Sequence, residues 1–360
     1  MNLLSKIQKN DFYIFKILLF IIFSFLIFLR LYYKTFFDDE IATIGIINDK
    51  NIFSIYTFVN SWDVSPPLSY ILIYLGEKIF GFQYAPLLFL PLQIYCINSF
   101  VKDSNKIFLK SNEIKLFYLL SVILNPIFIL WCTSLRWYSL WVPLALYIIG
   151  KIFFQKKRDY NEIFLILSFI TLMFHLNYLT IIFIFCLGIS NYKQIKNEIF
   201  NFIKNKTFLF LLIFLINIPQ LYYFLSNHLI NSSSQYGDYI LSFSYPVITT
   251  VFGNSVFPLE LIAILFFFTL IIIFFQNINI LGKIFKPLKN LLIFSSIFFI
   301  IIFLFKLGHK PRHSIILNYV FIICFFINLY FLKNLILIRS SIFIFIFFIF
   351  FGIKNTIKEE

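Results

Sequence analysis

Residues 14–33 read IFKILLFIIFSFLIFLRLYY, an apolar run interrupted by Lys16 and Arg30. Runs of about 18 or more apolar residues are typical of transmembrane helices, because about 20 helical residues cross the hydrocarbon core of a bilayer. Lys6 and Lys9 precede this run, and no small-residue cleavage site follows it. We therefore expect a signal anchor that remains in the membrane with its N-terminus in the cytoplasm.

Similar runs recur along the whole chain, which is 61% hydrophobic and only 13% charged. This composition excludes an ordinary soluble protein and predicts an all-α integral membrane protein, a polytopic bundle of about 11 transmembrane helices. The predicted spans are 14–33, 84–101, 116–131, 137–154, two in a hairpin over 163–189, 208–225, 259–275, 291–305, 314–332 and 342–353. We expect a single transmembrane domain over 1–360, without a separate soluble domain.

The net charge of +14 comes from lysines that cluster between the apolar runs. The clusters fit the positive-inside rule, so nucleic acid is not an expected partner. This topology places 34–83 on the outer face as the catalytic loop. Within it, 68–80 is short for a span and contains Glu77 and Lys78, so we expect an interfacial helix. A composition rich in Phe, Ile, Lys and Asn suggests a bacterial source, hence a multi-pass protein of the cytoplasmic (inner) membrane with its active site facing outside.

Four of the 16 acidic residues lie in the outer loop: Asp38, Asp39, Glu40 and Asp63. The stretch DDEIATIGII reads as a helix start, with Asp38 as the N-cap and acids favoured by the helix dipole in the first turn. Consecutive residues of a helix point in different directions, so one of these acids can cap the helix while another faces a cleft. Asp63 is either a turn-initiating residue before the Pro-Pro pair or a further member of the site.

Cations are predicted on the same outer face. Arg136 lies between two spans among Trp and Tyr residues, either as an interfacial arginine or as a partner for the acids or a phosphate. His175 lies at the tip of the hairpin, as a structural residue or as part of a cleft lining. The turn HKPRH contains Lys310, Arg312 and His313, and positive charge on the outer face favours anion binding there.

Three motifs in this order resemble the GT-C superfamily of polyprenyl-phosphate-sugar glycosyltransferases. Residues 38–40 read DDE after the first span, 63–70 read DVSPPLSY, and 134–140 read SLRWYSL. They are similar to the family's acidic pair, to its D-x-H-P-P-L-Y-Y motif and to its E-A-R-x-Y-S-L motif. The branch that they resemble most is that of the protein O-mannosyltransferases, aminoarabinose transferases and RgtA-like enzymes. Ser65 and Ser69 replace the family's His and Tyr, and no acid precedes the arginine. The resemblance is strongest over 30–155.

The resemblance implies that Asp39 is the catalytic carboxylate, followed by Glu40. The residue types fit this chemistry, because sugar transfer needs a base for an acceptor hydroxyl and cations for a departing phosphate. The expected roles are Asp39 as base, Glu40 orienting Arg136 or the acceptor, and Lys310 and Arg312 on the lipid phosphate. The predicted catalytic residues are Asp38, Asp39 and Glu40, and the predicted substrate-binding residues are Asp63, Arg136, Tyr138, His175, Lys310, Arg312 and His313.

The expected reaction moves a sugar from a polyprenyl-phosphate donor to a hydroxyl of a glycan, lipid or protein acceptor, with inversion at the anomeric carbon. The other expected partner is membrane lipid. No metal site or cofactor is assigned, and a divalent cation on the carboxylates is an open alternative. The alternative functions are a flippase or transporter of lipid-linked saccharides, which would carry charges near the bilayer midplane, and a glycan polymerase.

Overall fold

The computed structural model describes residues 9–62, 66–108, 112–155, 157–228, 286–304, 315–331 and 335–358. Within these ranges the chain is helical and contains no β-strand. The helices are α1 (Lys9–Tyr32), α2 (Asp38–Ile47), α3 (Ile52–Trp62), α4 (Leu68–Phe80), α5 (Leu90–Ser104), α6 (Asn112–Ile123), α7 (Pro126–Cys132), α8 (Tyr138–Phe154), α9 (Tyr160–Leu176), α10 (Leu179–Asn205), α11 (Thr207–Tyr223), α12 (Lys286–Leu304), α13 (Ile315–Phe331) and α14 (Leu335–Lys358). Short 3-10 helices cover Phe82–Phe89 and Asn105–Phe108, and a π-helical turn covers Phe224–His228.

Four helical stretches of the described chain are long and apolar enough to cross a membrane. They are Phe12–Tyr32, Phe82–Ser104, Asn112–Cys132 and Thr207–Ser226. Shorter apolar helices cover Tyr138–Phe154, Tyr160–Leu176, Leu288–Ile302 and Ile316–Ile327. The expected all-helical class is therefore confirmed for these residues, with the long apolar helices of a membrane-embedded protein. The count of about 11 spans stays a prediction, and the predicted span 259–275 lies outside the described residues.

Local sequence explains where several helices begin. Asp159 precedes α9, and its carboxylate accepts a hydrogen bond of 2.7 Å from the backbone N–H of Glu162. Glu162 returns a contact of 3.3 Å to the N–H of Asp159, which completes a capping box. Asn125 caps α7 in a similar way, accepting from the N–H of Phe128 at 3.0 Å. These side chains satisfy N–H groups that have no partner within the helix itself.

The predicted hairpin over 163–189 forms two helices that extend beyond it. Helix α9 ends at Leu176, and α10 begins at Leu179 and continues to Asn205. A kink at Asn191, with φ −130° and ψ 26°, divides α10 within this length. The lysines after residue 190 therefore continue the helix beyond its kink, in the stretch between the predicted spans 163–189 and 208–225.

The helix α4 has the predicted bounds and packs closely against the following 3-10 helix. Gly81, with a φ of 77°, makes the turn between them, a conformation that glycine adopts without steric strain. A Cβ on Gly76 would lie 2.5 Å from the backbone oxygen of Ala85, so this approach requires a residue without a side chain. The 3-10 helix in turn caps α1, because Gln83 Nε2 donates to the carbonyls of Leu31 at 2.8 Å and Tyr32 at 3.0 Å.

An ion cluster joins α5, α8 and α9 near the C-terminal end of α8. Lys151 Nζ lies 3.1 Å from a carboxylate oxygen of Asp103 on α5 and 3.1 Å from one of Glu162 on α9. Asp103 also pairs with Lys106 at 2.6 Å. This cluster lies at the opposite end of α8 from the turn at residues 133–137, which contacts Lys34 and Glu40.

We expect Gly76→Ala to destabilise the protein. The new methyl group would meet backbone rather than a flexible side chain, so α4 or the 3-10 helix must shift, at about 1–3 kcal/mol. The measurement is the midpoint of thermal unfolding of the purified protein in detergent. Gly45→Ala on α2 is the control, because a Cβ there meets no atom within 4 Å. Equal midpoints for the two variants would contradict the close packing at Gly76.

Candidate functional site

Glu40 is fully buried and joins two parts of the chain that are far apart in sequence. Its Oε1 accepts hydrogen bonds from Lys34 Nζ at 2.6 Å, from Ser134 Oγ at 2.8 Å and from the N–H of Leu135 at 2.7 Å. Its Oε2 accepts from the N–H of Phe37 at 3.1 Å. The carboxylate therefore fixes the start of α2 against the turn between α7 and α8.

Lys34 completes this contact from the connection between α1 and α2. Its Nζ also donates to the carbonyl of Thr133 at 2.6 Å, and the side chain is 1% exposed. Burial lowers the pKa of Lys34 to about 8, while the carboxylate of Glu40 raises it and the charge of Arg30 lowers it. We call the contacts among Lys34, Glu40 and residues 133–135 the junction cluster.

The acids that precede Glu40 are more accessible. Helix α2 begins at Asp38, and Phe37 occupies the N-cap position. The predicted N-cap role of Asp38 is therefore wrong: no side-chain cap bond forms there, and Asp38 is the first helical residue. Asp38 is exposed and Asp39 is partly exposed. Both lie in the first turn, where the helix dipole favours negative charge.

Arg136 extends from the turn between α7 and α8 towards α2 and α4. Its Nη1 donates to Thr43 Oγ1 and to the hydroxyl of Tyr70, each at 3.0 Å. The guanidinium carbon also lies 5.8 Å from the centroid of the Tyr70 ring. Thr43 donates to the carbonyl of Asp39 at 3.0 Å. The structure thus brings the arginine within one helical turn of the acidic start of α2, and Arg136 is only partly buried there.

The turn that carries Arg136 is held from its other side by Gln93 of α5. This fully buried amide donates to the carbonyls of Cys132 at 3.1 Å and Ser139 at 3.0 Å. Ser139 Oγ donates to the carbonyl of Arg136 at 2.8 Å. The backbone at Arg136 therefore has fixed partners on both sides, which pre-organises its guanidinium.

Tyr138 and His175 occupy different surroundings. The Tyr138 ring is 1% exposed and packs edge-on against Trp131 at 4.7 Å and Trp137 at 5.1 Å between centroids. Tyr138 therefore supports the arginine turn from within an aromatic cluster. His175 hydrogen-bonds to the backbone of Ile216 and lies edge-on to Phe174, so its contacts are on the side of α9 that faces α11.

Several predicted site residues lie outside the described residues: Asp63, Lys310, Arg312 and His313. Within the described ranges, no group of three or more His, Cys, Asp or Glu side chains forms a metal-binding cluster. The predicted roles of the four residues, and of a divalent cation, stay predictions.

Lys34, Thr43 and Tyr70 belong to the site but were absent from the predicted set. Tyr70 ends the quoted DVSPPLSY motif, and this position was the available signal for its role. Lys34 looks in sequence like an ordinary basic residue that flanks a span. Thr43 follows Asp39 by four residues, a spacing that places both on one face of a helix.

Comparison of the chain with models of protein families, with curated proteins and with solved structures found no match. The fold is that of a helical membrane-embedded protein. Its candidate site has a buried ion pair beside an acidic helix start. The resemblance to the GT-C glycosyltransferases stays a prediction.

We expect Glu40→Gln to destabilise the protein by about 3 kcal/mol or more, since it leaves the buried ammonium of Lys34 without its counter-charge. The measurement is the midpoint of thermal unfolding in detergent across pH. Glu113→Gln is the matched control, because Glu113 pairs with Arg339 at 3.5 Å where both side chains are partly exposed. Exposed pairs contribute about 0–1 kcal/mol.

The destabilisation caused by Glu40→Gln should decrease as the pH rises. The pKa of Lys34 in the folded protein, about 8, lies below the ordinary lysine value of 10.5. The folded state therefore binds fewer protons between these values, and this group's contribution to stability rises with pH there. Loss of Glu40 lowers the pKa further, so the penalty of Glu40→Gln is largest below pH 7 and shrinks as Lys34 becomes neutral above pH 8. A penalty that is small, or that grows with pH, would contradict this assignment.

Proposed function

We propose that the protein is a membrane glycosyltransferase that moves a sugar from a polyprenyl-phosphate donor to an acceptor hydroxyl. The observation that carries this proposal is the contact of Arg136 with Thr43 on α2 and Tyr70 on α4. It joins the acidic stretch, the Pro-Pro motif and the arginine motif, which are far apart in sequence. These are the three motifs on which the resemblance to the GT-C family rests.

Asp39 is the best candidate for the base. A base must reach the proton of an acceptor hydroxyl, and Asp39 is partly exposed whereas Glu40 is fully buried and already accepts four hydrogen bonds. Asp38 is more exposed and supplies a second carboxylate at the same helix start. Glu40 then acts as a positioning residue, because it holds the backbone next to Arg136.

The proposed reaction is a direct displacement. The acceptor oxygen gives its proton to the Asp39 carboxylate and forms a bond to the anomeric carbon. The bond from that carbon to the phosphate oxygen breaks, and its electron pair leaves with the polyprenyl phosphate. Attack from the opposite face inverts the anomeric configuration.

Cations stabilise the charge that develops on the departing phosphate. Arginine suits this role because its planar guanidinium matches phosphate oxygens in pairs. Arg136 is a partly exposed cation near the acids, whereas Lys34 is buried against Glu40. Lys310 and Arg312 are proposed to contact the same phosphate from the HKPRH turn, by their sequence alone.

The proposed location follows from the lysine distribution rather than from the fold. Lysines cluster at the end of α8 that carries Lys151, and the site lies at the end that carries Arg136. With the positive end in the cytoplasm, the reaction takes place on the outer face of a bacterial cytoplasmic membrane. The acceptor there is a glycan, a lipid or a protein.

We expect Asp39→Asn to lower sugar transfer by about 100-fold or more, because general-base catalysis contributes about that factor. The measurement uses purified protein in liposomes, a panel of radiolabelled polyprenyl-phosphate sugars, and the release of polyprenyl phosphate. Release of the lipid phosphate distinguishes transfer from transport, since a flippase leaves the sugar-phosphate bond intact.

Asp49→Asn is the matched control. Asp49 is exposed after the end of α2 and has a φ of 57°, a conformation that asparagine also accepts. This control should transfer sugar at the wild-type rate. Full activity of Asp39→Asn would remove Asp39 from the base role, and a wild-type protein that moves intact lipid-linked sugar without cleaving it would contradict the transferase proposal.

A further inference from the structure

Thr43 is a fully buried residue of α2, with 1% of its surface exposed. A buried hydroxyl is unfavourable unless it is hydrogen-bonded, and this hydroxyl has a partner on each of two elements. It accepts from Arg136 Nη1 at 3.0 Å and donates to the carbonyl of Asp39 at 3.0 Å. The hydroxyl therefore links the arginine to the turn of α2 that carries the acids.

The direction of both hydrogen bonds follows from the chemistry of the partners. A guanidinium N–H can only donate and a carbonyl oxygen can only accept, so the single proton of the Thr43 hydroxyl is directed at Asp39. A lone pair of the same oxygen then faces Arg136. Serine at this position could form the same two bonds, whereas valine, which has a similar shape, could form neither.

A second oxygen atom holds the same nitrogen of the arginine. Arg136 Nη1 donates to the hydroxyl of Tyr70 at 3.0 Å, and the guanidinium carbon lies 5.8 Å from the centroid of the Tyr70 ring. Because a guanidinium is planar and its donors have fixed directions, these contacts restrict the orientation of the whole group. Of the two hydroxyls, that of Thr43 ties the arginine to α2, whose first turn contains Asp38 and Asp39.

The hydroxyl of Thr43 contributes little to the stability of α2 itself. In an α-helix, the carbonyl of Asp39 accepts from the backbone N–H of the residue four positions later, which is Thr43. A threonine side chain that bonds back to the same carbonyl is slightly unfavourable for a helix. The buried hydroxyl is therefore explained by its contact with Arg136 rather than by the needs of the helix.

We propose that Thr43 is a positioning residue that orients the guanidinium of Arg136 for binding the phosphate of a polyprenyl phosphate. The inference rests on the proposed function, in which Arg136 stabilises the departing phosphate. A side chain that is already oriented loses less conformational freedom when it binds, so the hydroxyl of Thr43 strengthens the phosphate contact. Thr43 acts through Arg136, which is consistent with its complete burial.

The test is the binding of two lipids to the purified protein, titrated by native mass spectrometry. One lipid is a polyprenyl monophosphate and the other is the uncharged polyprenol with the same chain. Wild type should bind the phosphate more tightly. Thr43→Val should weaken phosphate binding by about tenfold, because a hydrogen bond to a charged group contributes roughly that factor, and should leave polyprenol binding unchanged. Thr43→Ser should bind both lipids as wild type does.

Thr180→Val is the matched control. Thr180 is also fully buried, accepts from Trp141 Nε1 at 2.8 Å and donates to the carbonyl of Asn177 at 2.7 Å. This variant removes the same pair of hydrogen bonds but keeps the contact of Thr43 with Arg136. It should therefore lower the midpoint of thermal unfolding without changing the affinity for either lipid. If Thr43→Val does not fold, Thr43→Ala takes its place, since it removes the hydroxyl and adds no atom.

The outcomes separate this proposal from the proposed function. If wild type prefers the phosphate and a folded Thr43→Val protein binds it equally well, the role of Thr43 is overturned and the transferase proposal stands. Equal weakening of phosphate and polyprenol binding would also overturn that role. A wild-type protein without preference for the phosphate would overturn both. Phosphate binding that depends on Thr43, in a protein that transfers no sugar, would support the positioning role and contradict the proposed function.

Discussion

The buried ion pair between Lys34 and Glu40 is the contact on which the arrangement of the site depends. A buried carboxylate is unfavourable unless its charge is paired and its oxygens accept hydrogen bonds, and Glu40 meets both conditions with four donors. Two of those donors, Ser134 and Leu135, belong to the turn that carries Arg136. Because the buried carboxylate of Glu40 needs these donors, it determines where Arg136 lies relative to α2. The exposed acids can remain in contact with solvent because Glu40 has the structural role.

Much of the fold follows from sequence patterns that do not depend on distant contacts. The apolar run 14–33 indicates α1, and the short apolar stretch 68–80 has the bounds of α4. The extent of α10 could not be predicted in the same way. Lys193 and Lys196 resemble a loop between spans, yet they occupy the exposed side of a helix that continues to Asn205. A charged residue at a membrane surface is compatible with either structure, and only tertiary contacts such as that of Arg158 with Glu198 select the helix.

The site was predictable as a set of motifs but not as a set of contacts. The order of the motifs indicates that the acids and Arg136 share one end of the bundle. Sequence alone could not show that Glu40 is buried, because its partners at Ser134 and Leu135 are 94 and 95 residues away. The same limit applies to the bridging role of Thr43 between Arg136 and the backbone of Asp39. These roles arise from packing of α2 and α4 against the arginine turn, which periodicity does not encode.

The central claim is that Lys34 and Glu40 stabilise the junction cluster as a pair. A double-mutant cycle with Lys34→Met, Glu40→Gln and the combined variant measures their coupling directly, by denaturant or thermal unfolding in detergent at pH 7. Each single variant leaves one polar partner buried without its counterpart, so the account predicts a coupling of about 1–3 kcal/mol, with the combined variant less destabilised than the sum of the single changes. Additive effects, with a coupling near zero, would contradict the account.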